Sequence, residues 1–282
     1  PLLTSVPGLF VCHGLDWYVM PWGSRWIDRL SHKFLVPLYS RKAKAIIAVS
    51  ETTREHVMRY LNKPSSDVVT VYHGVDESFR CPVAEEQLQA TRKKFSLPPS
   101  YYLYVSRIYP PKNFGRLIRA FAKVSTDHNR YLVVAGTHTE GCEDEIALIE
   151  ELGISNRVIQ LGWVGRDDLP ALYSMADALV QPSLYESFGI SLVEAMSMGC
   201  PILTANCYGA AEVTADAALL VDPGDVDAIE TGLRRIVDDT SLRETLIARG
   251  FKRSEEFTWE KCAAQTMSAI EDVYQRSIVK NR

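Results

Sequence analysis

Two glutamates eight positions apart, Glu186 and Glu194, are the side chains in this sequence best spaced to share one ligand. They flank the junction between an apolar run at 178–181, which predicts a buried strand, and a helix predicted from Gly189 onward. The first backbone N–H groups of a helix are unpaired and its dipole is positive at that end, so the turn suits a phosphate or a hydroxyl-rich ligand. Spaced carboxylates are suitable acceptors for sugar hydroxyls. As an isolated pair, however, they would more simply be a solvated loop residue and a surface helix residue.

A loop with two cations, Arg107 and Lys112, follows the strand predicted at 101–106. The planar guanidinium of arginine and the point charge of lysine suit a diphosphate bound without a metal. Pro110–Pro111 stiffens this loop, so less entropy is lost when both cations converge on a ligand. The sequence contains neither G-x-G-x-x-G nor G-x-x-x-x-G-K-[ST], so phosphate binding would depend on side chains and helix ends. In isolation, the two cations would be interpreted as solvated.

A regular alternation of strands and helices places the cation loop and the glutamate turn in one domain. Besides the strands already given, strands are predicted at 131–135, 157–161, 201–204 and 217–221, and helices at 113–125, 143–152, 167–175, 225–237 and 241–250. This pattern predicts a doubly wound α/β domain, in which helices cover both faces of a parallel sheet. Loops that follow parallel strands open at the same edge of the sheet, so we expect the two cations to face the two glutamates.

The first third of the chain shows the same alternation. Strands are predicted at 9–12, 45–49 and 67–72, and helices at 24–40 and from 50 or 51 to 60. His13 follows the first strand, where residues of open α/β sheets line the ligand crevice. A hydrogen-bonded structural histidine is an equally good interpretation. The segment 78–99 contains prolines and a charged helix and is typical of a connection between domains.

An aromatic and basic tract lies between the first two strands. It consists of Trp17, Tyr18, Trp22, Arg25, Trp26, Arg29, His32, Lys33, Arg41, Lys42 and Lys44. Such a mixture could rest on an anionic membrane surface or hold an extended acceptor. The alternative, which the pattern slightly favours, is a helix that packs its aromatic side chains into the core and leaves a basic face in solvent.

Composition narrows the function classes. The chain has 282 residues, of which 46% are hydrophobic and 23% charged, as is ordinary for a soluble globular protein. Its net charge of −4 argues against generic nucleic-acid binding. The six cysteines form no C-x-x-C pair and have no histidine at metal spacing, so a reduced cytoplasmic setting is the simplest expectation. No apolar run approaches the roughly 20 residues that span a bilayer.

Five motifs in a fixed order carry a family resemblance. They are Arg107-x4-Lys112-Asn113, Leu161-Gly-Trp-Val164, the run from Asp177 to Gly189, Glu194-Ala-Met196 and the run from Ala217 to Pro223. Together they resemble the retaining family 4 glycosyltransferases of the GT-B fold, over nearly the whole chain. The resemblance implies two Rossmann-like doubly wound parallel-sheet domains. The N-terminal one would be incomplete, because the family's first strands and glycine-rich loop, which precede the position of His13, are missing and the chain begins at Pro1.

The implied organisation has three parts. Residues 1–96 would form the partial, acceptor-side domain and the linker, and 97–256 the domain that binds the nucleotide sugar. Residues 257–282 would form a terminal helix that packs back on the N-terminal domain. We expect its apolar stripe to face the core: Trp259, Cys262, Ala263, Met267, Ile270 and Tyr274.

The resemblance also implies roles for the charged residues. Arg107 and Lys112 would neutralise the donor diphosphate and stabilise the departing nucleotide. Glu194 would take the ribose hydroxyls, and Glu186 would hold hydroxyls of the transferred sugar. His13 matches a histidine near that sugar, although the family often has His-Asp where this chain has His-Gly.

Backbone groups complete the implied site. N–H groups in the segment Ser187, Phe188, Gly189 and Ile190 would assist Glu186 in holding the sugar. The loop with Trp163 and Val164 would read the base through its backbone.

The implied reaction retains configuration at the anomeric carbon and uses neither a metal nor a cofactor. The acceptor hydroxyl would enter on the face that the diphosphate leaves, and a phosphate oxygen would accept its proton. No protein nucleophile is then required. Glu186 could act as one, as in retaining glycosidases, but its loop position suits hydroxyl binding better.

The expected function is therefore transfer of a hexose from a UDP- or GDP-sugar to a saccharide or a lipid-linked saccharide. The expected setting is the cytoplasm, with peripheral contact at the inner face of the membrane and no nucleic-acid partner. Two alternatives remain, a GT-B epimerase that acts on a sugar nucleotide and a donor-binding remnant without catalysis.

Overall fold

The computed structural model of the chain describes residues 8–23, 26–125, 130–139 and 141–279. Its nine strands form two parallel sheets. The strands are β1 (Gly8–Cys12), β2 (Ala43–Ala48), β3 (Val68–Thr70), β4 (Tyr101–Val105), β5 (Tyr131–Ala135), β6 (Val158–Gly162), β7 (Ala178–Gln181), β8 (Ile202–Ala205) and β9 (Leu219–Val221). Strands β1 to β3 form one sheet in that order, and the other sheet has the order β6-β5-β4-β7-β8-β9.

Twelve α-helices within the described ranges connect and cover these strands. They are α1 (Asp16–Val19), α2 (Trp26–Lys42), α3 (Glu51–Leu61), α4 (Glu85–Lys94), α5 (Phe114–Ser125), α6 (Glu143–Glu151), α7 (Leu169–Met175), α8 (Ile190–Ser197), α9 (Tyr208–Thr214), α10 (Val226–Asp238), α11 (Thr240–Ser254) and α12 (Trp259–Val279). We call residues 8–79, around the smaller sheet, the N-terminal lobe, and residues 101–254, around the larger sheet, the C-terminal lobe. The α/β fold with two parallel sheets confirms the predicted fold class.

The four inner strands of the larger sheet, β5, β4, β7 and β8, are buried on both faces, which explains their largely apolar sequences. The edge strands β6 and β9 each expose one residue. Along β4, Tyr101 and Leu103 pack into the core on one face, whereas Tyr102 and Tyr104 pack into the core on the other. The buried hydroxyls of Tyr101 and Tyr102 donate to the carbonyl oxygens of Leu172 (2.8 Å) and Leu233 (2.7 Å), so their burial leaves no lost hydrogen bond.

The order of the larger sheet creates a switch point between β4 and β7. The chain runs outward from β4 through β5 and β6, and then returns to the other side of β4 to build β7, β8 and β9. Open α/β sheets bind ligands outside the carboxyl ends of the strands at such a point. The fold therefore places the loops that follow β4 and β7 side by side at the expected ligand edge.

The end of the chain returns to the N-terminal lobe. Helix α12 packs Ala269 and Cys262 against Ile47 of β2 and against Val71, which directly follows β3. The crossing is close at Gly74, where a Cβ atom would lie 2.1 Å from the backbone nitrogen of Trp259. A glycine is therefore required at this crossing.

The predicted apolar stripe of α12 is wrong for its exposed members. Met267, Ile270 and Tyr274 are exposed, and Trp259 is 46% exposed. Ala263 is exposed as well and Cys262 is half-buried, and the buried side chains of α12 are those of Ala269 and Val273, four positions apart on one face. Hydrophobicity along the sequence therefore did not specify which face of this helix meets the rest of the chain.

The aromatic and basic tract is divided between core and solvent. Trp17 and Tyr18 pack against the core of the N-terminal lobe, whereas Trp22 is exposed. Helix α2 also exposes apolar side chains, with Phe34 at 60% and Leu38 at 44%. Arg25 and the side chains of Trp26 and Arg29 lie outside the described residues. No helix in the described part of the chain is long and apolar enough to cross a membrane.

Candidate active site

The loops after β4 and β7 are joined by backbone and side-chain hydrogen bonds. The N–H of Leu184 donates to the carbonyl of Pro111 at 2.8 Å. Asn113 adopts a left-handed conformation with φ of 61°, and its Nδ2 donates to the carbonyls of Pro182 (2.8 Å) and Pro223 (2.7 Å). Asparagine tolerates this conformation better than most residues. Asn113 thus fixes the cation loop against the loop that follows β7.

Lys112 and Glu186 meet directly at this junction. Lys112 Nζ lies 2.5 Å from Glu186 Oε2, and each residue is only 9% exposed. Burial alone would lower the pKa of Lys112, but Glu186, Tyr109 and Asp16 raise it above its ordinary value. The lysine therefore stays protonated at neutral pH. Lys112 is thus a buried cation at the switch point, and one of its three N–H donors is used by Glu186.

Glu186 is held by a second polar group besides Lys112. Gln181 Nε2 donates to Glu186 Oε2 at 3.2 Å, and Gln181 Oε1 accepts a hydrogen bond from Ser191 Oγ at 2.8 Å. The carboxylate is thereby fixed at one oxygen. This arrangement suits a positioned hydrogen-bond acceptor.

Arg107 lies at the surface of the same loop. Its side chain is exposed and makes no hydrogen bond or ion pair to any residue that the structure describes. It is close enough to Tyr109 that its charge, like that of Lys112, opposes the rise of the Tyr109 pKa that burial causes. Tyr109 also lies close to Lys112, whose Nζ is 5.7 Å from the centre of its ring, so both cations of the loop act on Tyr109.

Glu194 is buried apart from this pair, on the second turn of α8. It accepts a hydrogen bond from the hydroxyl of Tyr173 at 2.9 Å. Burial raises the pKa of Glu194 to about 7, and the hydrogen bond from Tyr173 partly opposes the rise. Of the four charged residues expected to converge, Lys112 and Glu186 are in direct contact. The convergence of Arg107 and Glu194 with this pair stays a prediction.

The turn between Glu186 and α8 requires a glycine. Gly189 has φ of 88°, and a Cβ atom there would lie 2.7 Å from Cδ1 of Leu192. Helix α8 begins at Ile190, so its first N–H groups have no partner within the helix. Phe188 is buried, whereas Ile190 is 40% exposed.

A histidine pair faces this turn from the N-terminal lobe. His13 stacks on His73, with ring centroids 5.4 Å apart, and His73 meets the ring of Phe188 edge-on at 5.3 Å. Burial, and secondarily the charge of His13, lowers the pKa of His73. His73 was not among the predicted site residues. The signal was present, because His73-Gly74 follows β3 as His13-Gly14 follows β1.

A cavity of about 390 Å³ lies between the two lobes. His13, Asp16, Trp17 and His32 line it from the N-terminal lobe, and Tyr109, Tyr185, Glu186 and Ser187 line it from the C-terminal lobe. Asp16 was also missed from the sequence, since a single aspartate after a histidine carries no specific signal. Burial raises the pKa of Asp16, while His32 and Lys112 oppose the rise.

Trp163 and Val164 lie away from this cavity, in the loop after β6. Trp163 is 79% exposed, whereas Val164 packs against the core of the C-terminal lobe. Their role in reading a base stays a prediction. Within the described ranges, no three His, Cys, Asp or Glu side chains are grouped so that they could hold a metal ion.

Comparison with known proteins agrees with this architecture. The structure superposes on sucrose-phosphate synthase from Thermosynechococcus elongatus with a TM-score of 0.80 and 23% identity, over 95% of this chain and 68% of that one. It superposes on Anabaena HepE in complex with UDP and glucose with a TM-score of 0.81 and 22% identity, over 94% and 72% of the two chains. These likenesses define the class of the fold as GT-B.

Sequence comparison gives the family. Residues 87–253 match the family described as Glycosyl transferases group 1, and residues 2–79 match Glycosyltransferase Family 4. The O-antigen chain mannosyltransferase B of Escherichia coli is 33% identical over 250 residues, which are 87% of this chain and 64% of that protein. A D-inositol 3-phosphate glycosyltransferase of Salinispora tropica is 31% identical over 86% of this chain and 52% of that protein. The chain belongs to the family 4 glycosyltransferases, and it spans about half to two thirds of the length of these relatives.

Proposed function

We propose that this chain transfers a hexose from a UDP- or GDP-sugar to a saccharide or lipid-linked saccharide, with retention of configuration and without a metal or a cofactor. The observation that carries the proposal is the contact between Lys112 and Glu186 at the switch point of the larger sheet. This contact supports the proposal because a buried cation suits a departing phosphate and the adjacent carboxylate suits sugar hydroxyls.

The proposed chemistry needs only these groups and the substrates. The bond between the anomeric carbon and the β-phosphate oxygen breaks, and a bond from that carbon to the acceptor oxygen forms on the same face. The acceptor's proton goes to the departing phosphate oxygen. Lys112 and Arg107 stabilise the negative charge on the released nucleoside diphosphate.

We assign Glu186 the role of a positioning acceptor. Lys112 and Gln181 both bind its Oε2, which orients the carboxylate and leaves Oε1 available to accept a hydrogen bond from a sugar hydroxyl. The cavity beside Glu186, with Asp16 and His13 on its opposite wall, offers acceptors and donors for a second sugar. We therefore assign the acceptor to the N-terminal wall of this cavity.

Mannose is the first hexose to test. Two relatives from Escherichia coli are mannosyltransferases, an O-antigen chain mannosyltransferase that is 33% identical to this chain and a serotype-specific mannosyltransferase that is 30% identical. These relatives are transferases, which favours transfer over the epimerase and remnant alternatives.

Contact with a membrane surface is part of the proposal for a lipid-linked acceptor. Helix α2 exposes Phe34 and Leu38 and ends with Arg41 and Lys42. Apolar residues beside cations are suited to an anionic bilayer surface. Co-sedimentation should then occur with vesicles that contain phosphatidylglycerol and not with phosphatidylcholine alone, and equal sedimentation with both would contradict the contact.

The test of the function is a donor panel. The purified chain is incubated with UDP- and GDP-hexoses and a saccharide acceptor, with and without EDTA, and the released nucleoside diphosphate and the anomeric configuration of the product are measured. We expect that EDTA does not reduce the release of nucleoside diphosphate and that the product has the same anomeric configuration as the donor. An inverted anomer would disprove retention, epimerisation without release would indicate the epimerase, and binding without turnover would indicate the remnant.

A further inference from the structure

Glu212, on α9 of the C-terminal lobe, binds the start of a helix in the N-terminal lobe. Its Oε1 accepts from the N–H of Glu51 at 2.7 Å, and its Oε2 accepts from the N–H and the hydroxyl of Thr52 at 2.8 and 2.7 Å. The contact joins residues about 160 positions apart in the sequence. A side chain of one lobe therefore satisfies two N–H groups that α3 cannot satisfy itself.

The remaining N–H group of this first turn has a local partner. Ser50 precedes α3, and its Oγ accepts from the N–H of Thr53 at 3.0 Å. The same hydroxyl donates to the carbonyl of Ser187 at 2.5 Å. Helix α3 is thus bonded at its start to Glu212 and to the turn that carries Glu186.

The other end of α9 is fixed to the same turn. The N–H of Gly209 donates to the carbonyl of Glu186 at 2.9 Å. A Cβ atom at position 209 would lie 2.5 Å from the carbonyl oxygen of Ser187, so only glycine permits this approach. Helix α9 therefore spans the short distance between the Glu186 turn and α3.

Tyr72 of the N-terminal lobe extends the contact to the turn that carries Glu186. The hydroxyl of Tyr72 donates to Glu212 Oε1 at 2.9 Å. The ring of Tyr72 lies 6.1 Å from that of Phe188 and 5.6 Å from that of Phe257. Arg253 also binds α9, since its Nη2 and Nε donate to the carbonyls of Glu212 (3.0 Å) and Val213 (2.9 Å).

We propose that Glu212 is a positioning residue that holds the two lobes closed, so that His13 and Asp16 of the acceptor wall stay opposite Glu186. The role rests on the proposed transferase function, since the two walls bind different substrates. The carboxylate lies at the positive end of the α3 dipole and accepts four hydrogen bonds, three of them from α3 and one from Tyr72. Glu212 contacts neither Arg107 nor Lys112 and does not line the cavity. Its loss should therefore slow the transfer step between the two substrates and leave the affinity for the nucleotide unchanged.

The test compares Glu212→Gln with Glu230→Gln in the full chain. Glu230 is the matched control, because its partners Arg234 and Lys123 lie within the C-terminal lobe. For Glu212→Gln, we expect amide exchange at Glu51 and Thr52 to quicken by about tenfold, as expected when charge-assisted hydrogen bonds are lost. The kcat for transfer should fall by a similar factor while the Kd of the nucleoside diphosphate changes by less than about twofold. The control should match the wild type in all three.

If the amide hydrogens of Glu51 and Thr52 exchange no faster in Glu212→Gln than in the wild type, the contact is overturned. If they exchange faster but kcat is unchanged, the positioning role is overturned. Exchange needs neither donor nor turnover, so it decides the contact even if no donor is transferred. If Glu212→Gln does not fold, Tyr72→Phe removes one of the four hydrogen bonds and keeps the ring. We then expect a smaller loss of kcat, again with nucleotide affinity retained, and equal kcat would overturn the proposal.

Discussion

Replacing Glu194 with glutamine should stabilise the unliganded protein at alkaline pH while weakening its binding of nucleotide. Glu194 is buried beside the Tyr173 hydroxyl, and its pKa is raised from 4.5 to about 7. A rise of that size corresponds to about 3 kcal/mol between the protonated and ionised forms. Glutamine has nearly the same shape, stays neutral, and can still accept the hydrogen bond from Tyr173.

The sign of the effect follows from proton binding in the two states. Below pH 4.5 the carboxyl group is protonated in both the folded and unfolded chains, so burial of charge costs nothing. As pH rises from 4.5 to about 7, the folded chain retains a proton that the unfolded chain loses, and the free energy of unfolding decreases. Above pH 7 the folded chain carries a buried carboxylate, and the loss of up to about 3 kcal/mol is complete.

Urea denaturation at pH 4 and pH 8 measures this difference. Glu194→Gln should match the wild type at pH 4 and exceed its free energy of unfolding by about 1 to 3 kcal/mol at pH 8. Glu150→Gln, on the exposed face of α6, is the control and should differ from the wild type at neither pH. Equal stabilities of Glu194→Gln and wild type at pH 8 would refute the account of a buried, protonatable carboxyl group. Unchanged nucleotide affinity would separately refute its role with the ribose hydroxyls.

Three further substitutions test the site. Glu186→Gln should lower kcat by about 100-fold and change the nucleotide affinity by less than about threefold, because the lost charge acts on the transferred sugar. If kcat in steady-state assays and nucleotide affinity in binding assays fell by the same factor, that role would be contradicted. Asp16→Asn should raise the KM for the acceptor by about tenfold and leave the KM for the donor unchanged in initial-rate kinetics. A raised donor KM with an unchanged acceptor KM would contradict the assignment of the acceptor to the N-terminal wall of the cavity. Gly189→Ala should lower the free energy of unfolding by about 1 to 3 kcal/mol, because of the positive φ and the crowding against Leu192, and an unchanged urea midpoint would contradict the strain.

Apolar runs along the sequence predicted the larger sheet well, because its four inner strands are buried on both faces. Each of its six strands lies within two residues of the predicted range, and β5 and β7 match fully. The meeting of Lys112 with Glu186 followed from topology alone, since parallel strands direct their following loops to one edge. The pattern of strands and helices along the chain is thus sufficient to bring these two side chains to one edge of the sheet.

Features that depend on contacts between lobes could not be predicted. Helix α9 has seven residues, one of them Gly209, and no clear apolar period, so neither the helix nor Glu212 was identified. Their role depends on α3, which lies far away in the sequence. The hydrogen bond from Tyr173 to Glu194 likewise depends on packing between α7 and α8, which periodicity does not specify.

The central claim is that the cation loop and the glutamate turn grip an activated sugar together. Isothermal titration of UDP and GDP into the wild type and Lys112→Ala tests it most directly, after thermal melting has established that the variant folds. We expect the better nucleotide to lose at least about tenfold in affinity in Lys112→Ala, as the loss of a charge-assisted contact to phosphate implies. Equal affinity in the two proteins would show that the diphosphate does not bind at the Lys112–Glu186 junction.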